Sequence, residues 1–291
     1  MSKRRSLKEK VLSRTSQALN TTLAIASISL GIWNQAATAQ TPLESAPLSF
    51  SVPTNSRFCR SDLESSIASI VNHPRFDTAR WGIVIKPIEK ATILYQHNPN
   101  ASLIPASNVK LLTTAAALQI VPKQTRPFEN LLAVVNRYSD NDQADALRRR
   151  IGGQSAIRNA LKLLGVSSNS YAQVDGSGLS RSNRVTPTAL VTLLESMFTH
   201  EQSGRFYQSL AVAGVNGTLR NRFRNTLVQG NLHGKTGTLR GVRALSGYLD
   251  NRNYGTIAFS IVVNQPGQSG QVLAQAIDQI VLQTAQVESC D

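Results

Sequence analysis

Short apolar runs rich in β-branched residues lie towards both ends of the chain, and longer stretches with a helical repeat lie between them. Residues 80–86 and 92–95 predict a β-hairpin, and residues 232–238, 242–249 and 254–264 predict three antiparallel strands. Together these regions predict a five-stranded antiparallel sheet beside an all-helical lobe, an α/β fold of the α+β type. A functional site is expected in the seam between the sheet and the lobe.

Two terminal helices are expected to flank the sheet. Ser61-Asp-Leu-Glu64 fits a capping box, in which the first and fourth side chains bond the backbone of a helix start, and predicts a helix that ends near Val71. Residues 271–287 have apolar positions at helical spacing and predict a closing helix. We expect both helices on the same outer face of the sheet.

The first 57 residues differ in composition from the rest of the chain. Six basic residues within the first 14 positions precede an apolar run at 23–33, and Ala37-Thr-Ala39 is a small-residue cleavage site. This pattern predicts an export signal over residues 1–39. The alternative is an uncleaved anchor, for which the apolar run is short of the ~20 residues of a membrane helix. Residues 40–57, which contain three prolines, predict a flexible leader, and residues 58–291 predict one substantial domain.

The chain is strongly basic, with a formal net charge of +14 over 291 residues. Without residues 1–39, 25 basic and 16 acidic residues remain, a net charge of +9. Aromatic residues make up only 5% of the chain and no nucleic-acid-binding motif occurs, so nucleic acid is not an expected partner. An exported cationic domain is expected to meet cell-wall peptides and anionic envelope surfaces.

One Ser-x-x-Lys pattern occurs, at Ser107-Asn-Val-Lys110, at the start of a run rich in Ala and Leu that predicts a buried helix over 109–118. Three residues are about one helical turn, so both side chains share a face. A serine hydroxyl becomes a nucleophile when a base lies this close, and lysine is a base only if burial or a second cation destabilises its ammonium. The pair is a candidate nucleophile and base, although a solvated helix face has the same spacing by chance.

Two Ser-x-Asn patterns occur, at Ser139-Asp-Asn141 and at Ser167-Ser-Asn169. The first lies between two amphipathic stretches, which predicts a tight inter-helix turn that directs two short polar side chains into a cleft. The second lies in a Ser-rich run that predicts a loop. We interpret Ser139 and Asn141 as site residues. The simpler alternative is that Ser139 caps the next helix.

One Lys-Thr-Gly pattern occurs, at Lys235-Thr-Gly237, within a predicted strand. On a strand that borders a cleft, Lys235 and Thr236 are expected to face the cleft, and Gly237 is expected to let a substrate backbone approach closely. An ordinary basic turn gives the same three letters, so the other two motifs carry the interpretation.

In chain order, the three motifs form the set that penicillin-recognising serine enzymes use. With the segments 103–110, 175–180 and 234–241, the chain resembles the type-4 (class C low-molecular-mass) penicillin-binding proteins, a family of D-alanyl-D-alanine carboxypeptidases and endopeptidases, over about residues 58–285. The resemblance implies the penicillin-binding/serine β-lactamase-like transpeptidase fold. It also implies a serine-type carboxypeptidase of the periplasm or cell envelope, with peptidoglycan peptides as substrates, β-lactams as inhibitors and no cofactor.

The resemblance implies a reaction through an acyl-enzyme. Ser107 is the expected nucleophile and Lys110, held neutral, its base. Ser139 is expected to pass a proton to the leaving nitrogen. The backbone N–H groups of Ser107 and Thr238 are the expected oxyanion hole.

The resemblance also implies how the substrate is held. Asn141 is expected to orient the substrate amide. Lys235, kept charged, and Thr236 are expected to bind the terminal carboxylate, with Gly237 beside them.

One departure from the family concerns residues 111–138, which alone separate the first two motifs. Family members usually insert extra domains there, and the insertion helps to contact the side chain of the peptide substrate. The chain is therefore a shortened form, in which selectivity is expected to differ.

Two alternative functions share these motifs. A serine β-lactamase needs an efficient deacylating base, and the first glutamates after Ser139 are Glu195 and Glu201, in helix-like surroundings. The second alternative is a catalytically weak module that binds peptidoglycan or β-lactams.

The chain has two cysteines, Cys59 and Cys290, near the two predicted terminal helices. In an exported protein they predict one disulfide, and the alternative is two free thiols. The four histidines show no metal-ligand spacing and no Gly-x-Ser-x-Gly sequence occurs, so neither a metal nor a Ser-His-Asp triad is expected. A membrane is expected as a partner only through an uncleaved signal.

Overall fold

The computed structural model describes residues 57–121 and 125–290, which all belong to one compact unit. The predicted export signal and almost all of the predicted leader lie outside these residues. Within the described ranges, the structure has no helix whose length and apolar content would let it span a membrane.

The long strands lie towards both ends of the described chain and most of the helices lie between them, as the hydrophobic pattern predicts. The helices are α1 (Arg60–Val71), α2 (Val109–Ile120), α3 (Arg126–Arg137), α4 (Asn141–Arg150), α5 (Gly153–Leu163), α6 (Pro187–Thr199), α7 (Ser203–Ser209) and α8 (Gly270–Gln286). The strands are β1 (Arg80–Pro87), β2 (Tyr95–His97), β3 (Tyr171–Ala172), β4 (Arg184–Val185), β5 (Ala211–Val212), β6 (Leu232–Leu239), β7 (Val242–Asn251) and β8 (Gly255–Asn264). The pattern does not predict the two-residue strands β3, β4 and β5.

The main sheet is antiparallel and has the order β2-β1-β8-β7-β6-β5. It has six strands where the pattern predicts five. The extra strand, β5, pairs only two residues with the start of β6. So short a strand has no periodicity of its own, and only the sheet edge that it pairs with makes it a strand.

The sheet separates two hydrophobic cores. Alternate residues of β7 point to opposite faces: Leu245 and Leu249 belong to the core beneath α1 and α8, whereas Ala244 and Tyr248 belong to the core of the helical lobe. At the centre of the lobe lies α2, whose residues 109–118 are all buried. The rest of the domain thus surrounds the helix that contains the lysine of the Ser-x-x-Lys motif.

The predicted capping box at the start of α1 is wrong. The helix begins at Arg60 with Cys59 at its N-cap, and the Asp62 carboxylate accepts a hydrogen bond from the Cys59 N–H at 2.8 Å. Glu64 instead pairs with Arg60 along the helix surface. The helix starts two residues earlier than Ser61 implies, so Asp62 takes the position from which a carboxylate can reach back.

The two terminal helices pack together on the outer face of the sheet. The structure joins Cys59 and Cys290 in a disulfide with a Cα–Cα distance of 5.7 Å. The Glu288 N–H donates to the Phe58 carbonyl at 2.8 Å beside it. The two ends of the described chain are therefore fastened to each other, across a sequence separation of 231 residues.

Candidate active site

Ser107 lies in a 3₁₀ turn, Ala106–Asn108, that leads into α2. Ala106 has a left-handed backbone with φ of +48°, which is uncommon for a residue with a side chain. Ser107 is half-buried and Lys110, one turn later, is fully buried behind it. Lys110 Nζ lies 3.0 Å from Ser107 Oγ and 2.8 Å from Asn141 Oδ1, and it also donates to the Ser177 carbonyl.

The Ser139 turn joins α3 to α4. Ser139 has a left-handed φ of +64°, and the following Asp140 is the N-cap of α4, accepting from the Gln143 N–H at 2.8 Å. The alternative that Ser139 caps this helix is therefore wrong. Ser139 is free to face the cleft, where Lys235 Nζ donates to its hydroxyl at 2.8 Å. Asn141, the first residue of α4, accepts from Lys110, so the turn contacts both buried lysines.

The second Ser-x-Asn pattern has a different environment. Residues 167–170 form the loop between α5 and β3, as the sequence predicts. The Asn169 N–H and the Ser170 hydroxyl donate to Ser167 within this loop. Lys110 and Lys235, the lysines of the other two motifs, instead donate to Asn141 and Ser139 of the first Ser-x-Asn pattern.

The Lys-Thr-Gly motif lies on β6. Lys235 is fully buried and donates to Ser139 Oγ and, at 3.1 Å, to the Thr236 carbonyl. The Thr236 hydroxyl forms a 2.8 Å hydrogen bond with that of Thr218, in a short turn that no motif points to.

Gly237 has a packing role that sequence reasoning missed. A side chain at this position would meet the Pro105 carbonyl at 2.5 Å, so the glycine lets the protein's own backbone, immediately before Ser107, lie against β6. The glycine thereby sets how closely the turn of Ser107 approaches the strand of Lys235. Close approach of a substrate backbone to the same glycine stays a prediction.

A buried polar chain connects the same two elements from below. Asn108 Nδ2 donates to Ser246 Oγ at 2.7 Å, and Ser246 donates to Ser260 Oγ at 2.9 Å. Ser246 is the β7 residue opposite Lys235 in the sheet register. All three polar side chains are fully buried, so this chain fixes the helix of Ser107 against the strands behind Lys235.

The loop 175–180 closes the other side of the site. Gly178, with φ of +88°, lies so close to Ala106 that a side chain there would overlap the Ala106 carbonyl. The Ser177 carbonyl accepts from Lys110 and, at 3.3 Å, from Ser107 Oγ. From the sequence alone, this segment is identifiable only as a stretch that resembles the family. A backbone carbonyl leaves no residue-type signal, so its role could not be predicted.

Burial lowers the pKa values of both lysines. The pKa of Lys110 falls to about 8, mainly through burial, and is held from falling further by the carboxylates of Asp145, Asp175 and Asp140. The pKa of Lys235 falls well below its ordinary value, again mainly through burial and then through the charge of Lys110. Among the described residues, no carboxylate counteracts the fall in the pKa of Lys235, whereas three carboxylates counteract it for Lys110. The lowered pKa of Lys110 agrees with the role of base expected for it, and the charged state expected of Lys235 requires a negative charge that these groups do not supply.

The site thus has two partly exposed hydroxyls, each in hydrogen-bond contact with a fully buried amine. Such an arrangement can activate a serine for attack on a carbonyl and return a proton to a leaving group. Within the described ranges, no group of three or more His, Cys, Asp or Glu side chains is arranged to hold a metal ion.

The fold is the penicillin-binding/serine β-lactamase fold. The structure superposes on penicillin-binding protein 4 from Haemophilus influenzae, solved with a β-lactam, with a TM-score of 0.66 at 14% identity over 77% of this chain and 99% of that one. It superposes on a class A β-lactamase from Bacteroides cellulosilyticus with a TM-score of 0.61 at 16% identity over 80% and 99%. The chain belongs to the D-Ala-D-Ala carboxypeptidase 3 (S13) family, whose model matches residues 63–126 and 119–287.

The match to individual relatives is partial. A D-alanyl-D-alanine carboxypeptidase from Actinomadura sp. is 37% identical over 175 residues, which are 55% of this chain and 32% of that protein. Across the curated relatives, the matched part spans 26–42% of their length. The family model matches in two pieces that meet at residues 119–126, between α2 and α3. This junction lies within the interval where the sequence predicts that the family's insertion is missing.

Proposed function

We propose that this protein is a serine-type D-Ala-D-Ala carboxypeptidase that acts on peptidoglycan stem peptides through an acyl-enzyme at Ser107. The proposal rests on two contacts in a chain of this family: Lys110 Nζ lies 3.0 Å from Ser107 Oγ, and Lys235 Nζ lies 2.8 Å from Ser139 Oγ. Both serines are partly exposed and both lysines are buried. Because the chain spans less than half of its relatives' length, substrate and partners are inferred from the site and the family together.

The reaction begins with Lys110. As the neutral amine it takes the proton of the Ser107 hydroxyl, and Oγ attacks the carbonyl carbon between the two terminal D-alanines. The backbone N–H groups of Ser107 and Thr238 stabilise the oxyanion. The carbon–nitrogen bond then breaks as the leaving D-alanine nitrogen takes the proton held by Lys110 by way of Ser139, which leaves Lys110 neutral again. Water later attacks the acyl-enzyme, gives one proton back to Ser107 Oγ and releases the shortened peptide as its carboxylic acid.

The sheet side of the cleft binds the substrate's end. The terminal carboxylate pairs with Lys235 and accepts from the Thr236 hydroxyl, while Asn141 orients the amide. A bound carboxylate raises the pKa of Lys235, because it supplies the negative charge that the protein's own groups do not provide there. The charged Lys235 then repels a charge on Lys110 and favours the neutral base.

β-Lactams are expected to acylate Ser107 in the same way and to remain attached. Glu195, the first glutamate after Ser139, forms a 2.6 Å ion pair with Lys86, and Glu201 is exposed in the turn between α6 and α7. Neither contacts Lys110 or Ser107, which disfavours the β-lactamase alternative. Long-lived binding of a penicillin without peptide turnover would instead favour the binding module.

Residues 1–39 act as an export signal, residues 40–57 as a leader and residues 58–291 as the penicillin-binding domain of the periplasm or cell envelope. The Cys59–Cys290 disulfide supports this location, because disulfides persist in oxidising compartments. Edman or mass-spectrometric analysis of protein from the native envelope should find an N-terminus at residue 40.

The test uses purified protein without residues 1–39. It should release D-alanine from a pentapeptide wall fragment, and a fluorescent penicillin should label it covalently at Ser107. Ser107→Ala should abolish both, whereas Ser180→Ala, a serine in the loop beside the site, should retain them. Labelling that persists in the Ser107 variant would overturn the assignment. A cross-linked dimer as substrate separates endopeptidase from carboxypeptidase action.

A further inference from the structure

The three hydrogen-bond partners of Lys110 determine where its lone pair points. A lysine nitrogen has three positions besides its own carbon, and here they face Asn141 Oδ1, the Ser177 carbonyl and Ser107 Oγ. The first two partners only accept, so each takes an N–H. When Lys110 is neutral, the one position left for its lone pair faces the Ser107 hydroxyl. The base is aimed at the nucleophile by the two acceptors opposite it.

The Ser177 carbonyl has no rigid secondary structure to hold it, since it lies in a loop. The carboxylate of Asp145 on α4 holds it from outside: one oxygen accepts from the Gly176 N–H at 2.6 Å and from the Ser177 N–H at 3.0 Å. Gly176 has no room for a side chain, which would meet the Ala144 carbonyl at 2.5 Å. The loop backbone is thus pressed onto α4, one turn after Asn141.

We propose that Asp145 is a positioning residue, which clamps the Gly176–Ser177 backbone onto α4 so that the Ser177 carbonyl and Asn141 together aim the Lys110 lone pair at Ser107. The inference rests on the proposed acylation at Ser107 and adds a residue that none of the three motifs contains. Because Asn141 and Asp145 are one turn apart on the same helix, α4 supplies one acceptor directly and the other through the loop.

The clamp also places a charge near the base. The groups that act on Lys110 are the carboxylates of Asp145, Asp175 and Asp140, which raise its pKa, and the nearby amine of Lys235. Asp175 is engaged in the loop itself, where it accepts from the Gly178 and Ser180 N–H groups at 2.7 Å and 2.6 Å. Replacing the Asp145 carboxylate by an amide should therefore lower the pKa of Lys110 while an acceptor oxygen remains for the two N–H groups.

The experiment compares Asp145→Ala, Asp145→Asn and, as the matched control, Asp142→Asn, which alters an exposed carboxylate on the first turn of the same helix. Penicillin acylation rates are measured from pH 6 to pH 10. Asp145→Ala should acylate about 100-fold more slowly at its plateau, the order expected when a reacting group is misplaced by about 1 Å, and its rise should also move to lower pH because it lacks the same carboxylate. Asp145→Asn should keep its maximal rate within about tenfold, the size of one weakened hydrogen bond, and shift its rise to lower pH. Asp142→Asn should match the parent protein.

A second measurement does not depend on activity. Hydrogen exchange of the Gly176 and Ser177 amides should accelerate in Asp145→Ala and not in Asp142→Asn, and the Lys110 ammonium titration followed by NMR should move to lower pH in Asp145→Asn. If acylation fails in the parent protein, the proposed function is wrong, and these two readouts still decide the clamp. Unchanged exchange and an unchanged Lys110 titration would overturn the clamp, as would an Asp145→Ala variant that acylates like the parent.

Discussion

The two buried lysines of the cleft have the same burial and opposite surroundings. On the helical side, Lys110 lies within reach of three carboxylates and contacts two acceptors besides Ser107. On the sheet side, Lys235 contacts a hydroxyl and its neighbour's carbonyl, and no carboxylate of the described residues acts on it. The difference teaches that burial alone does not assign roles. Lys235 has no carboxylate of the described residues acting on it, so it is the lysine suited to pair with the carboxylate of a substrate.

This contrast bears on the charge states expected of the two lysines. Lys110 is expected to be neutral and Lys235 charged, and burial lowers the pKa of both in the structure. A carboxylate bound beside Lys235 favours the expected states, because it stabilises the ammonium of Lys235 and thereby disfavours that of Lys110. The two sides of the cleft should therefore respond differently to substitution, to pH and to the ligand's charge.

The largest effect is expected on the helical side. Lys110→Ala removes the base and should lower the acylation rate by about 1,000-fold, within the range of a positioned general base. Stopped-flow mixing with a fluorescent penicillin measures it. A variant within tenfold of the parent would show that another group takes the proton from Ser107.

The sheet side should discriminate by ligand charge. Lys235→Ala should lower kcat/KM about 10–100-fold for a peptide with a free C-terminal carboxylate, the size of one charge-assisted hydrogen bond, and much less for the amidated peptide. Lys110→Ala should affect both peptides equally and is the control. If Lys235→Ala lowers kcat/KM equally for the free-carboxylate and amidated peptides, the different roles proposed for the two lysines are wrong.

The pH dependence tests the helical side separately. Only neutral Lys110 can accept the proton of Ser107, and with a pKa of about 8 roughly a tenth of it is neutral at pH 7. The acylation rate by a penicillin should therefore rise with pH, reach half of its maximum near pH 8 and level off about one pH unit higher. A penicillin that carries a carboxylate should move this rise to lower pH than its carboxylate ester does. A rate independent of pH between 6 and 9 would contradict the role of Lys110.

The free energy of unfolding should also depend on the titration of Lys110, and the lowered pKa gives the direction of that dependence. The folded pKa of Lys110 is below its unfolded value of 10.5, so the unfolded chain binds more protons between pH 8 and pH 10.5. The contribution of Lys110 to the free energy of unfolding should rise with pH across this window. Urea unfolding of the parent and of Lys110→Met at pH 8 and pH 10.5 isolates that contribution as the difference between their pH dependences.

A smaller effect is expected at Thr218, which bonds Thr236 at 2.8 Å. For Thr236 to donate to a carboxylate, Thr218 must become the donor in this pair. Thr218→Val should lower kcat/KM for carboxylate-bearing substrates roughly 3–10-fold, the worth of one neutral hydrogen bond, and Thr218→Ser should restore it. A Val variant as active as the parent would show that the Thr218 hydroxyl does not assist Thr236.

The disulfide should affect stability and leave the cleft unchanged. It joins the ends of α1 and α8 on the face of the sheet opposite the helical lobe. Cys59→Ser with Cys290→Ser should reduce the free energy of unfolding by about 2–5 kcal/mol and change the acylation rate less than twofold. Denaturant unfolding and penicillin labelling measure the two quantities. A large loss of acylation in the folded variant would mean that the two faces of the sheet are coupled.

Local patterns predicted most of the architecture and all three motifs. The strands β6, β7 and β8 and the helix α8 lie within about two residues of their predicted bounds, because long apolar runs specify their own periodicity. The short strand β5 and the start of α1 could not be predicted in the same way. Each depends on a partner: β5 on the edge of β6, and α1 on the carboxylate of Asp62.

The sequence by itself determined which residues the proposed chemistry uses, because Ser107 and Lys110 are one helical turn apart and their spacing is local. Only the tertiary structure decided how Lys110 is aimed and which charges act on the pKa of each lysine. The Ser177 carbonyl that bonds Lys110 lies 67 residues from it in sequence, and Asp145 lies 31 residues from the Gly176 N–H that it bonds. The charges of Asp145 and Asp175 also act on the pKa of Lys110. Burial and charge act through space and not along the chain, so a pattern of residues shows the reactive groups and the fold sets their ionisation.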